Sequence, residues 1–234
     1  MFTNVNLAAP LGAFALLGTG FAIFLLTLLI AYSLTKRKFA LTRLALLAIL
    51  AVAIIYLFFL FTFSFKSSET ILARGQEKHF CEIDCHLAYS IADVRETKTL
   101  DDAFNPGDAF NRVTAAGVFR VVTIKTRFDE NTISSTRGNG PLTPNSRVVS
   151  IVDEKGRQYF SAVEGQRVLE RSQAAGTPIT TQLRPGETYT TTLVFDLPPD
   201  IGNPTLLIRE GAILTHFIIG HENSPLHKKT RFQI

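Results

Sequence analysis

The sequence predicts an N-terminal α-helical transmembrane hairpin followed by an all-β antiparallel sandwich, and three observations carry that prediction. The 234 residues are 46% hydrophobic and only 19% charged, with a mean hydropathy of +0.19, yet the apolar excess is confined to the first 65 positions. Two runs there, Leu11 to Leu34 and Leu44 to Phe65, contain no charged side chain. Beyond Lys66 the pattern changes to short alternating segments separated by turn residues.

Each apolar run is long enough to cross a bilayer, because about 20 residues at 1.5 Å rise span a hydrocarbon core of about 30 Å with every backbone amide satisfied inside the helix. A cleaved signal peptide fits less well. No basic residue precedes the first run, and a second span follows at once. Between the runs, residues 35–43 carry Lys36, Arg37, Lys38 and Arg43 and no acid, so the loop is expected on the cytoplasmic face with both termini outside. Neither run contains Asp, Glu, Lys, Arg or His, which argues against a proton relay or ion pathway. Gly18 and Ala22 stand at small-xxx-small spacing, the pattern of a close helix contact within the hairpin or between copies.

The remaining stretch, about 170 residues, is of ordinary domain size. Thr188 to Asp196 alternates cleanly after the turn Arg184-Pro185-Gly186-Glu187 and is stopped by Pro198 and Pro199. Val148 to Val152 and Gln158 to Val163 flank Asp153-Glu154-Lys155-Gly156 as a hairpin, with Gly at the position that tolerates positive φ. Val118 to Phe128, Thr205 to Arg209 and Ala212 to Ile219 add β-rich runs, and no segment after residue 70 shows a sustained helical stripe. Two antiparallel sheets packed face to face bury these faces most economically. The expected division is 1–66 hairpin, 67–85 linker, and 86–234 extracytoplasmic sandwich with a polar C-terminal tail.

The stretch from Gly117 to Ile124, then Asp153-Glu154-Lys155-Gly156-Arg157-Gln158-Tyr159, then Leu183-Arg184-Pro185-Gly186-Glu187 leading into Leu193-Val194-Phe195-Asp196-Leu197-Pro198, resembles a bacterial family of exported immunoglobulin-like domains, the telokin-like and antigen-like modules of unknown function. The resemblance covers about residues 86 to 220. It implies an Ig-like sandwich without catalytic residues; the chain departs from that family's commonest layout in its two spans, expected to anchor it in the cytoplasmic (inner) membrane, and in the cysteine motif before the first strand.

The chain's two cysteines stand together in Lys78-His79-Phe80-Cys81-Glu82-Ile83-Asp84-Cys85-His86. Outside the cytoplasm a structural disulfide between Cys81 and Cys85 is the first expectation. A strand would hold residues four apart at about 13 Å, well beyond the roughly 4.4–6.8 Å a disulfide's Cα atoms need, so the segment has to turn. A copper or zinc site on Cys81, Cys85, His86 and His79 is the alternative, since two thiolates and two imidazoles form a plausible ligand set. A thiol-redox pair stays open, because Glu82 and Asp84 disfavour the thiolate while Lys78 favours it. Cys81 to His86 has one residue too many for ordinary haem attachment. His216 is expected on a strand face, and His221 in a polar loop that either is solvated or returns to the cysteines.

No nucleophile triad, phosphate-cradling glycine loop or paired-carboxylate motif stands out, so the reading leans away from an enzyme. The net charge of +4 is spread thinly, which excludes a nucleic-acid partner on charge density. The sequence thus points to a membrane-anchored binding or assembly module with no cofactor, its partners the lipid bilayer and another membrane or envelope protein. The alternative is a copper- or zinc-handling or thiol-redox protein.

Overall fold

The structure is a computed structural model that describes residues 8–80, 85–101, 112–131 and 138–234. The chain divides into a helical unit, 6–68 with 213–228, and a β unit, 69–212 with 229–234.

In the helical unit, α1 (Ala8–Thr35) and α2 (Phe39–Lys66) are both long and apolar enough to cross a membrane. They form an antiparallel hairpin closed by a tight turn. Arg37 takes a left-handed conformation (φ 54°), its amide bonds to the Leu34 carbonyl, and the Lys38 amide bonds to the Ser33 carbonyl. This is the double hydrogen-bonded helix stop usually completed by glycine. Ser33, wholly buried, meets Thr42 across the helices with 2.6 Å between hydroxyls. Lys36, Arg37, Lys38 and Arg43 are thereby gathered at one end of the hairpin. Gly18 and Gly20 face open space, whereas a Cβ at Gly12 would lie 2.0 Å from the Ile219 carbonyl oxygen. The close approach in α1 is therefore made at Gly12, against the 213–228 segment.

The β unit holds, among the described residues, nine strands in two sheets. One has the order β2 (Lys78–Phe80), β3 (Leu87–Leu100), β4 (Val113–Phe128), β7 (Thr188–Leu197); the other β1 (Thr70–Leu72), β9 (Thr230–Gln233), β8 (Thr205–Glu210), β5 (Arg147–Val152), β6 (Gln158–Tyr159). The sheets face each other across a core that includes Phe80, Tyr89, Phe128, Phe195, Leu206 and Phe232, as the alternating apolar faces require. The predicted turns form as their residues dictate. Gly186 (φ 78°) and the Glu187 amide to the Arg184 carbonyl make the Pro-Gly turn, and Asp153 Oδ1 accepts from the Lys155 and Arg157 amides ahead of Gly156 (φ 77°). Asp196 accepts the Ala116 and Gly117 amides at 2.8 and 2.9 Å, and a Cβ at Gly117 would lie 1.8 Å from the Leu197 carbonyl oxygen. Gly117 and Asp196 are thus two halves of one joint between β4 and β7.

The sandwich departs from the sequence reading in four places. It is mostly rather than wholly antiparallel, because β1 pairs in parallel with β9. Residues 67–85, expected as a linker, supply β1 and β2, one to each sheet, since Leu72 and Phe80 both enter the core. The second strand of the 148–163 hairpin ends at Tyr159, and Val163–Arg171 forms helix α3. Its Leu169 covers Phe119, Val121 and Val194 on the outer face of the β4–β7 sheet. Residues 212–219 are not a strand. Ile213–Phe217 is a 3₁₀ turn in the helical unit, where Thr215 is held by Asn223 and, among the described residues, no strand pairs with it. His216 accordingly sits on that turn, its Nδ1 near the Ile213 carbonyl, rather than on a sheet face.

Candidate functional site

The candidate site lies on the first sheet, on β2, β3 and the end of β4. The strand register places His79, Ala88 and Arg127 in one row across β2, β3 and β4. The small Ala88 leaves room above it for the imidazole and guanidinium to approach a common partner. That partner is Asp129, just past the end of β4.

His79 Nε2 donates to Asp129 Oδ2 at 2.9 Å, and Arg127 Nη2 reaches the same oxygen at 3.2 Å. Arg127 also makes a two-pronged contact with Glu77, Nε to Oε1 at 2.8 Å and Nη2 to Oε2 at 2.7 Å. The Asn131 amide donates to Asp129 Oδ1 at 3.0 Å. On the main chain, the Asp129 amide donates to the His86 carbonyl, and His86 Nδ1–H returns the bond to the Asp129 carbonyl. The His86 ring stacks on Phe128 with centroids 4.9 Å apart. His79, His86 and Asp129 are all buried. The network therefore ties the two ends of the cysteine loop to the end of β4.

The charges follow this geometry. The Arg127 hydrogen bonds hold the Glu77 carboxyl below the usual carboxylate range. Burial pushes Asp129 upward, but the donors from His79, the Asn131 amide and Arg127 outweigh it, so this carboxyl also stays below its ordinary value. Arg127, bonded to both acids, is held in its charged form beyond its already high value.

The sequence-predicted residues fare differently. Cys85 is wholly buried, has a left-handed backbone (φ 60°) and carries no free thiol. Cys81, Glu82 and Asp84 lie outside the described residues. Lys78, read as a promoter of the thiolate, turns instead into the sandwich. Its Nζ donates to the carbonyls of Ile208 and Thr230 on the opposite sheet at 2.7 and 3.2 Å. His79 and His86 approach the same residue, Asp129, but His86 meets its backbone and His79 its carboxylate. His221 belongs to the helical unit, where its Nδ1 accepts the Asn223 amide.

Glu77, Arg127 and Asp129 escaped the sequence reading. Among the described residues the ligand atoms of Glu77, His79 and Asp129 fall within 4.8 Å of one another, a spacing that can hold a metal ion. The donor set does not fit one with Arg127 in place. Its guanidinium already lies on both carboxylates, where a cation would have to sit, and His79 spends Nε2–H on Asp129. Elsewhere in the β unit, an open cleft of about 630 Å³ is lined by Ile71, Arg120, Asn203, Thr205, Gln233 and Ile234. Arg120 enters it from β4 and pairs with Glu96 directly opposite on β3.

Fold and site together define a β-sandwich module joined to a two-helix apolar hairpin. No family model matches the chain, and no curated protein matches it. Among solved structures it is similar to a conserved hypothetical protein from Bacillus anthracis, at 17% identity and a TM-score of 0.41, over 62% of this chain and 92% of that one. It is also similar to the secreted protein MPT63 from Mycobacterium tuberculosis, at 14% identity and a TM-score of 0.41, over 72% of this chain and 100% of that one. An uncharacterised β-sandwich protein from Clostridium difficile is similar at 9% identity and a TM-score of 0.37, over 72% and 96% of the two chains.

Proposed function

We propose that the chain is a two-pass protein of the bacterial cytoplasmic (inner) membrane, with both termini outside the cytoplasm. It presents a non-catalytic Ig-like sandwich as a binding or assembly module for another membrane or envelope protein. The observation that carries this reading is the internal pairing of the ionisable groups at the candidate site: Arg127 joins Glu77 to Asp129, and Asp129 accepts from His79. Such a cluster braces the end of the first sheet, and its own acids and base are spent on one another instead of being poised for a substrate. The length and apolar composition of the two helices support the anchor, and the gathering of Lys36, Arg37, Lys38 and Arg43 at one end supports the orientation. The Cys81–Cys85 disulfide belongs to the same proposal. The left-handed turn at Cys85 supports it, since an extended segment would keep the two apart. The Arg120 cleft combines a cation with the apolar side chains of Ile71 and Ile234, which supports it as the surface that meets the partner.

The test is a pair of fusions after Ile234 in the full-length protein. Alkaline phosphatase should be active there and green fluorescent protein dark; the reverse pattern overturns the orientation. Copper or zinc added to the reduced protein should leave its unfolding midpoint unchanged. A rise would revive the metal reading, because a ligand bound only by the folded state must stabilise it.

A further inference from the structure

The segment between β8 and β9 is built inside out for a loop in water. Ile213, Leu214, Phe217 and Leu226 are 75, 66, 53 and 61% exposed, while Thr215, His221, Asn223 and Ser224 are buried. In water the exposed apolar side chains would be left hydrated, which is unfavourable. In a lipid environment their exposure becomes favourable, and polar groups turned inward are tolerated where the protein itself bonds them.

The hydrogen bonds agree. The amides of Ile218, His221, Ser224 and His227 donate to the carbonyls of Thr215, Ile218, His221 and Ser224, a run of tight turns each three residues on. The Asn223 side chain donates to Thr215 Oγ1, the Ser224 hydroxyl to the Ile218 carbonyl, and the Tyr56 hydroxyl of α2 to the Phe217 carbonyl. Irregular backbone is tolerated at membrane depth when its polar groups are met by the protein in this way.

The position along the helices fits as well. Tyr56 lies about ten residues before Lys66, so the Phe217 carbonyl is held about 15 Å inside the charged end of α2. Ile219 packs on Gly12, close to the start of α1, and the Lys228 amide donates to Ser67 Oγ just beyond α2. The segment therefore returns to a collar where Lys66 and Lys228 are both exposed.

We infer that Ile213–Leu226 is a re-entrant, lipid-facing element that seats its apolar side chains in the extracytoplasmic leaflet beside the hairpin, with Lys66 and Lys228 at headgroup level. This rests on the membrane-anchor reading above. The occupant of the apolar face is the acyl region of the bilayer. The face is continuous with the exposed apolar surface of the hairpin it packs on, and the two lysines complement anionic headgroups.

The chain contains no tryptophan, so single tryptophans report without background. Phe217→Trp, Leu214→Trp, Phe58→Trp on α2 and Phe160→Trp on the sandwich are placed in the full-length protein and reconstituted in vesicles of phosphatidylcholine and phosphatidylglycerol, with and without brominated acyl chains. Tryptophan at 217 and at 214 should lose emission to the bromines as strongly as tryptophan at 58, while tryptophan at 160 keeps its emission. Quenching at 58 with none at 217 and 214 overturns the inference and leaves the anchor standing. Loss of quenching at 58 overturns the anchor itself. A blue-shifted but unquenched signal at 217 and 214 means that protein covers the face, a partner or a second copy, and also overturns the inference.

Discussion

Replacing Arg127 with methionine removes the cation shared by Glu77 and Asp129 while keeping most of the side chain's volume. Breaking a fully buried pair by removing one partner costs about 3–5 kcal/mol, because the remaining charge is stranded. Arg127 and Glu77 are 31 and 26% exposed, so solvent recovers part of that loss, whereas Asp129 at 6% exposure keeps only its bonds from His79 and the Asn131 amide. The expected cost is about 2–3 kcal/mol after that discount. For a β unit of about 150 residues this corresponds to a fall of roughly 5–10 °C in Tm. A second substitution, Glu77→Leu on top of Arg127→Met, should recover about half of the loss, since one of the two stranded carboxylates is then gone. The assay is thermal melting of the full-length protein followed by the far-ultraviolet signal of the strands. A single variant that melts within 1 °C of the parent, or a double variant less stable than the single, would refute the pairing argument.

Acid should act on the same cluster. Glu77 and Asp129 are both held below their ordinary pKa, so the stability they contribute is complete above about pH 5 and is lost as pH falls below about 4, which a denaturant midpoint measured from pH 7 to 3 will show. Cys85→Ser should cost about 2 kcal/mol, and the denatured, unreduced parent should take up no alkylating label but two after reduction; label without reductant would rule the disulfide out. Neutralising Lys36, Arg37, Lys38 and Arg43 together should scramble the orientation read by the fusions after Ile234, each charge contributing about 1 kcal/mol to the cytoplasmic preference. Gly117→Ala should destabilise by more than about 3 kcal/mol in the same melts, because the new methyl meets the Leu197 backbone and cannot be relieved by rotating a side chain.

The strands that alternate most plainly, Thr188 to Asp196 and Val118 to Phe128, were readable because each buries one face in the core between the sheets. The turns at Gly156 and Gly186 were readable because they need positive φ. Helix α3 was missed although Gly165, Val168 and Leu169 stand at helical spacing, since nine residues are too few for a periodic signal to outweigh neighbouring strands. Residues 213–219 misled for a different reason. Their apolar content matches a strand, and what decides between strand and turn is the company they keep with α1 and α2, a tertiary fact with no local mark. His79 was singled out with the cysteines, yet Arg127, aligned with it through Ala88, carried no signal because the register that aligns them joins positions far apart in the chain.

The parallel pairing of β1 with β9 sets the order in which the sandwich can be finished. Thr70 pairs with Thr230 and Leu72 with Phe232, positions about 160 apart, whereas β8 sits on the other side of β9. Until Phe232 has emerged from the ribosome, β8 has an open flank and β1 has no neighbour to bind. The sheet therefore stays open at β8 from the completion of that strand until β9 arrives about twenty residues later, the interval in which edge-to-edge association is most damaging. Shortening the chain ahead of Thr230 would make that interval permanent.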